Sequence, residues 1–179
     1  MSNYIAMLRG INVSGHNIIK MERLRACFAA LGLANVKTYV QSGNVVFEAA
    51  QDAAGVLSGK IAQKILSDFG YSVPVLLKTF KEMEKIIKCN PFLKAPGIDH
   101  SKLHVTFLAA EPPPMALEKL QPLAEKPERL HITGREIYLY CPNGYGNTKL
   151  SNTAIEKKLS VGATTRNWKT VSALLAMAQ

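Results

Sequence analysis

Between residues 4 and 78 the chain runs strand, helix, strand, strand, helix, strand, and few folds accommodate that order. Tyr4–Arg9 is a short apolar run that reads as a strand. A loop rich in Gly and Asn follows, Gly10-Ile11-Asn12-Val13-Ser14-Gly15-His16-Asn17. Met21, Leu24, Phe28 and Leu31 recur at helical spacing until Gly32. Val36–Val40 and Val45–Glu48 read as strands joined by a tight turn at Ser42-Gly43-Asn44. Residues from about Asp52 to Phe69 are expected to be helical, with Val56, Ile61, Ile65, Leu66 and Phe69 near one face, and Val73–Lys78 is a fourth strand. This β-α-β-β-α-β order is the split βαβ pattern of ferredoxin-like domains.

The second half begins again with a strand at Leu103–Ala109, after a helix near Lys81–Lys88 and an irregular stretch from Asn90-Pro91 to Pro96-Gly97. Glu111-Pro112-Pro113-Pro114 leads into a short helix near Met115–Leu120. Arg129–Thr133 and Ile137–Cys141 form a second hairpin around Gly134, and helices are expected near Asn152–Leu159 and Arg166–Met177, the last with Thr165 as its N-cap. Val40–Phe47 can be laid over Ile132–Tyr138 with one residue shifted in the turn, which suggests an internal repeat. The fold class read from this is α+β: a ferredoxin-like first half packed against a related βαββα second half. The expected divisions are 1–79, a helix and connection at 80–102, and 103–179. Tyr4, Ala6 and Leu8 alternate with the equally apolar Ile5 and Met7. The first sheet is therefore expected to be covered on both faces.

Composition narrows the classes. At 47% hydrophobic and 20% charged, the chain is not a disordered one. Cys27, Cys89 and Cys141 are odd in number and far apart, which fits a reducing compartment rather than a disulfide framework. With no signal-like N-terminus and no apolar run of membrane length, a cytoplasmic protein without membrane partners is expected. The net charge is +9, and it is spread: residues 1–90 hold 11 basic and 6 acidic groups, residues 91–179 hold 11 and 7. The densest cluster, Lys149, Lys157, Lys158, Arg166 and Lys169, reads first as solvated helix faces.

Topology places a site. In a split βαβ unit the end of the first strand, the turn between the second and third, and the loop before the fourth fall on one edge. Here these are Arg9–Asn17, Gln41–Asn44 and Gly70–Ser72. An Arg at the base of Gly- and Asn-rich loops, beside a helix start, suits an anion. The candidate ligand-binding residues are Arg9, Asn12, Ser14, Gly15, Asn17, Gln41, Ser42, Gly43 and Asn44, with Arg166 and Lys149 as possible helpers. Arg9 would pair with the anion, and Asn12, Ser14, Ser42 and Asn44 would orient it. The alternative is that Gly and Asn there serve only turns that need positive φ.

Other chemistries fit less well. Gly10-x-x-x-x-Gly15 is followed by His16-Asn17, where a P-loop needs Lys-Ser/Thr. His100 and His104 do not share a helical face, and neither C-x-x-C nor H-E-x-x-H occurs, so no metal and no cofactor is expected. Ser42-Gly43-Asn44 is not a nucleophile elbow. Tyr4 and Phe47 are the aromatics available for RNA stacking on the first sheet, without a basic RNP1-like run. Trp168 reads as core with Val171 and Leu175, or as a stacking platform beside Arg166 and Lys169, and Tyr138 and Tyr140, which share one strand face, read either as exposed aromatics for stacking or as residues at a subdomain interface.

Three segments together resemble the bacterial domain of unknown function 1697 family: Met7–Val13, Thr38–Phe47 and Thr164–Val171. The resemblance runs over nearly the whole chain. It departs at Lys169, where the family usually has Asn. It implies a cytoplasmic α+β protein of two similar subdomains, and no activity, ligand or catalytic residue comes with it.

The leading expectation is a binding protein for a phosphate-bearing ligand, either a nucleotide-like small molecule or a nucleic-acid backbone. Two readings stand beside it: an enzyme on a small anionic substrate with His16 as acid or base, and a structural or partner-binding protein using the Pro112–Pro114 loop or the last helix. Nothing in the sequence signals oligomeric state.

Overall fold

The computed structural model describes residues 1–50 and 54–179. The backbone divides into two units, Met1–Lys85 with Ala173–Gln179, and Ile86–Ser172.

The first unit contains β1 (Ser2–Leu8), α1 (Met21–Ala29), β2 (Ala34–Tyr39), β3 (Asn44–Ala49), α2 (Ala54–Phe69) and β4 (Val75–Thr79). Its sheet has the order β2-β3-β1-β4, and each neighbouring pair is antiparallel. This is the ferredoxin-like arrangement expected from the sequence. Tyr4, Ala6 and Leu8 of β1 join Val45, Phe47 and Ala49 of β3 on the side that meets α1 and α2. Leu24, Cys27 and Phe28 supply the buried stripe of α1, and Leu57, Ile61 and Ile65 that of α2. Spacings of three and four residues make these single faces. The stripe on α2 differs from the expected one, because Val56 and Leu66 are 55% and 50% exposed. The expected start of this helix at Asp52 lies outside the described residues. Phe47 lies at the centre of the core, with Tyr4 stacked on it at 5.7 Å and Phe28 edge-on at 5.4 Å. On the opposite sheet face Ile5, Met7 and Val46 are also buried.

The second unit contains β5 (Leu103–Leu108), α4 (Ala116–Leu120), β6 (Arg129–Thr133), β7 (Glu136–Tyr140), α5 (Asn152–Leu159) and β8 (Ala163–Asn167). Its order, β6-β7-β5-β8, repeats the first sheet. The expected βαββα order is present, and β8 completes it. Ala163-Thr164-Thr165-Arg166-Asn167 pairs residue by residue with β5, although no apolar alternation marks it.

Each sheet is followed by a helix that starts where its fourth strand ends. α3 (Phe80–Lys88) follows β4, and α6 (Trp168–Met177) follows β8. Thr79 and Glu82 form a reciprocal capping box on α3: Glu82 Oε2 accepts from the Thr79 N–H at 2.7 Å, and Thr79 Oγ1 accepts from the Glu82 N–H at 3.2 Å. The α6 cap is Asn167, whose Oδ1 accepts from the Thr170 N–H at 2.8 Å. Thr165 is therefore not the cap. It lies inside β8, where its hydroxyl donates to Asn152 Oδ1 at 2.7 Å. Within the first unit, Asn3 Nδ2 donates to the Ala178 C=O at 2.8 Å, just past the end of α6. No helix among the described residues is long and apolar enough to cross a membrane.

Candidate functional site

The end of β1 is clamped from both sides. The Leu8 N–H donates to the Gly43 C=O at 2.8 Å, and the Arg9 N–H to the Pro74 C=O at 3.0 Å. The β1–α1 loop, the β2–β3 turn and the lead-in to β4 therefore meet at one corner. Gly70–Ser72 lies just upstream of that last contact. Gly43 has φ 74°, and a Cβ there would come within 2.7 Å of Leu8 Cβ and 2.9 Å of Ile11 Cδ1. A side chain at 43 would push the turn off the strand.

The loop itself is built from left-handed residues. Gly10, Asn12, Ser14, Gly15 and Asn17 all have positive φ. Ser14 and Gly15 form the tip of a turn in which the His16 N–H donates to the Val13 C=O at 2.9 Å. Asn12 is the knot that holds this loop. Its Nδ2 donates to the Ile19 and Gln41 carbonyls, both at 2.9 Å, and its Oδ1 accepts from the Ile19 N–H at 2.8 Å. Asn17 Nδ2 donates to the Gly10 C=O at 2.9 Å. Asn44 is fully buried, and its Nδ2 donates to the Tyr39 C=O at 3.2 Å and to Ser42 Oγ at 2.8 Å.

The candidate residues thus fall into two groups. Asn12, Asn17, Gly43 and Asn44 commit their amides or their lack of a side chain to the shape of the corner. Ser14, Gly15, Gln41 and Ser42 are exposed around it, with Arg9 half-buried at its base and Lys20 exposed beyond. Arg166 lies on β8 of the second unit, where its guanidinium donates to the Thr165 C=O at 3.0 Å and burial pushes its pKa down to about 10. Lys149, in the second unit, is ion-paired with Glu125. His16 is exposed at the turn tip, and residues 9–20 and 41–44 contain no carboxylate.

One feature of this corner is not read from the sequence. Val13, Ile18 and Val40 are 56%, 55% and 54% exposed, and each adjoins a residue tied to the Asn12 knot. Val40 also has φ 50°, a strained conformation for a β-branched residue. Its position between two strands, immediately before Gln41-Ser42-Gly43, is the signal that could have marked it. The loops that meet here therefore carry exposed apolar side chains as well as Arg9 and Lys20.

The sequence profile of the family described as protein of unknown function (DUF1697) matches residues 1–138. The chain belongs to the DUF1697 family. A solved structure, that of the conserved bacterial protein SP0830 from Streptococcus pneumoniae, is similar to it with a TM-score of 0.78. The two sequences are 21% identical, and 99% of each chain is covered. That similarity is one of fold. No curated protein matches the chain.

Two of the three cysteines of this DUF1697 chain, Cys27 and Cys141, are buried. Cys27 lines a hollow of about 320 Å³ with Arg23, Ala26, Asp68 and Phe69. Burial, and then a hydrogen bond to Asp68, push its thiol up to about 12. It is not a thiolate nucleophile at neutral pH. Cys141 is raised to about 11, again chiefly by burial. Tyr138 is buried and donates its hydroxyl to the Ile86 C=O at 2.8 Å, so it is no stacking platform. Tyr4 and Phe47 are spent on the helix side of the first sheet, which removes them as RNA-stacking aromatics. Trp168 is half-buried at the start of α6.

Proposed function

We propose that the first unit is a binding module for a nucleotide-like ligand, with the phosphate at Arg9 and the uncharged part on Val13, Ile18 and Val40. The observation that carries this reading is the pairing of a guanidinium with exposed apolar side chains around one tightly knotted loop. Arg is the side chain best matched to phosphate oxygens. Gly10, Asn12 and Ser14 alternate at positive φ, as in backbone concavities that take anions, with the Asn12 N–H itself spent on the Asn17 C=O at 3.2 Å. Ser14, Gln41 and Ser42 supply polar side chains at the rim. Asn12, Asn17 and Asn44 act as positioning residues, holding the loops rather than orienting the ligand. A reducing, cytoplasmic setting accords with three free thiols.

The test uses ADP and inorganic pyrophosphate as probes, followed by backbone NMR shifts and calorimetry. ADP is expected to perturb residues 9–17 and 40–44. Arg9→Ala should weaken both probes by roughly tenfold or more with the circular dichroism unchanged. Val40→Ser should weaken ADP and leave pyrophosphate unaffected. Normal ADP binding by Arg9→Ala, or shifts confined elsewhere, sinks the proposal. Binding of single-stranded oligonucleotides that falls steeply with salt would move it from a small nucleotide to a nucleic-acid backbone.

A further inference from the structure

β2 and β6 are the matching edge strands of the two sheets, and they are protected differently. β2 is interrupted by a register shift between Ala34 and Lys37, with Asn35 at φ 50° inside it. Such irregularities blunt an edge. All five residues of β6 pair with β7 in unbroken register.

Hydrogen-bond alternation tells which groups of β6 face outward. The Leu108 N–H donates to the Arg135 C=O at 2.8 Å, so Phe107 and Glu136 form the kind of pair that exchanges no hydrogen bonds between β5 and β7. Glu136 therefore turns its N–H and C=O toward Thr133 on β6. Stepping back along the ladder, Ile132 and Leu130 turn theirs away from β7 and out of the sheet.

Beside this edge lies a groove of about 450 Å³, lined by Pro112, Pro113, Pro114, Leu117, Leu130 and Ile132 among others. It borders α4, which has five residues where α1 has nine and is preceded by three prolines. Met115 and Leu117 flank it at 56% and 49% exposure. On the other face of the sheet Arg129 and His131 are exposed, His131 also bordering the groove, with Arg135 exposed at the turn and the half-buried Glu136 of β7 on the same face. Glu111 is the carboxylate of the groove's own lining.

The geometry points to β6 as a docking edge for an extended acidic peptide, one whose apolar residues alternate with Asp or Glu. The peptide pairs with the outward N–H and C=O groups of Leu130 and Ile132 as an added fifth strand. Alternate side chains then fall on opposite faces. The apolar set enters the groove, away from water, and the carboxylates meet Arg129, His131 and Arg135. A second copy of this chain is a poorer occupant. Each copy carries a net charge of +9, and pairing β6 with itself would bring two sets of these cations together.

The probe is a fluorescein-labelled peptide of three Val-Glu repeats, titrated against the full chain by anisotropy. Saturable binding below about 1 mM is expected, with amide exchange slowed at Leu130 and Ile132. Affinity should fall roughly tenfold when the peptide's pairing amides are N-methylated, when its Glu are replaced by Lys, and in Leu117→Asp and Arg129→Glu. Both substitutions are at exposed positions, and circular dichroism checks that the fold is kept. Absence of saturable binding, or full binding by the N-methylated peptide, overturns the proposal. So does a chain that sediments as a dimer with Leu130 and Ile132 already protected, because a second copy then occupies the edge.

Discussion

The two units carry the same corner, built from different residues. Leu8 donates to the turn carbonyl of Gly43 and Leu108 to that of Arg135, both at 2.8 Å. One residue later Arg9 reaches Pro74 and Ala109 reaches Gly162. The backbone frame is thus repeated position for position, yet Arg9 is matched by Ala109. The left-handed Gly/Asn loop is matched by Glu111-Pro112-Pro113-Pro114. A shared topology brings loops together, and the side chains on them decide what the corner can bind. The first corner is cationic and knotted by amides. The second leaves an apolar groove beside an open strand edge.

The sharpest way to break this comparison is at the turn residue. Gly43→Ala must displace Leu8 and Ile11 and also hold an Ala at positive φ, so a loss of about 3 kcal/mol is expected. Arg135 occupies the matching place and is exposed, so Arg135→Ala should stay within about 0.5 kcal/mol of the parent. Urea unfolding of the two variants measures both. Equal effects would mean that the Gly43 packing does not hold the first corner together.

A smaller contrast is expected in the loops. Asn12→Ala removes three hydrogen bonds and leaves the Ile19 N–H without its acceptor, a cost of about 2 kcal/mol. Pro113→Ala in the other loop loses only pre-set backbone geometry, worth about 0.5 kcal/mol. Thermal unfolding resolves the pair. An Asn12→Ala protein as stable as Pro113→Ala would return Asn12 to the list of groups free to orient a ligand.

Much of this was legible in the sequence for identifiable reasons. β1 and the run Val73–Leu77 leading into β4 are apolar on both faces, β3 is apolar on the face of Val45 and Phe47, and Gly-bearing turns bound them, so their order and the meeting of their loops follow from topology. β8 is hidden because Thr164, Thr165, Arg166 and Asn167 carry no apolar alternation, and their place in the sheet depends on pairing with β5. The stripe of α2 differs from the spacing-based expectation, because Leu57 rather than Val56 turns inward and Leu66 turns out. The roles of Asn12, Asn17 and Asn44 depend on where their amides point, which positive φ sets and residue type alone does not. The groove beside β6 brings Pro112–Pro114 and Leu117 to Leu130 and Ile132, a meeting of distant segments that the run Met115–Leu120 does not reveal.

The smallest contrast is between the central strands, and it is one of pH. Tyr4 and His104 occupy matching positions four residues before Leu8 and Leu108, Tyr4 stacked on Phe47 and His104 on Tyr145 at 4.8 Å. Burial lowers the His104 pKa below its ordinary value of 6.5, outweighing the opposing effect of its contact with the Lys102 carbonyl. The fold therefore holds the neutral imidazole, while the unfolded chain takes up a proton near that ordinary value. In the window below it the unfolded state binds more protons, so stability falls as pH falls, and the loss levels off once the folded-state pKa is passed. His104→Phe keeps an aromatic ring against Tyr145 and removes the proton. Unfolding measured from about pH 7.5 to about pH 5 should lose stability less steeply in this variant than in the parent, by no more than about one proton's worth of slope. If the two slopes coincide, His104 titrates alike folded and unfolded, and the second unit is no more acid-sensitive at this position than the first.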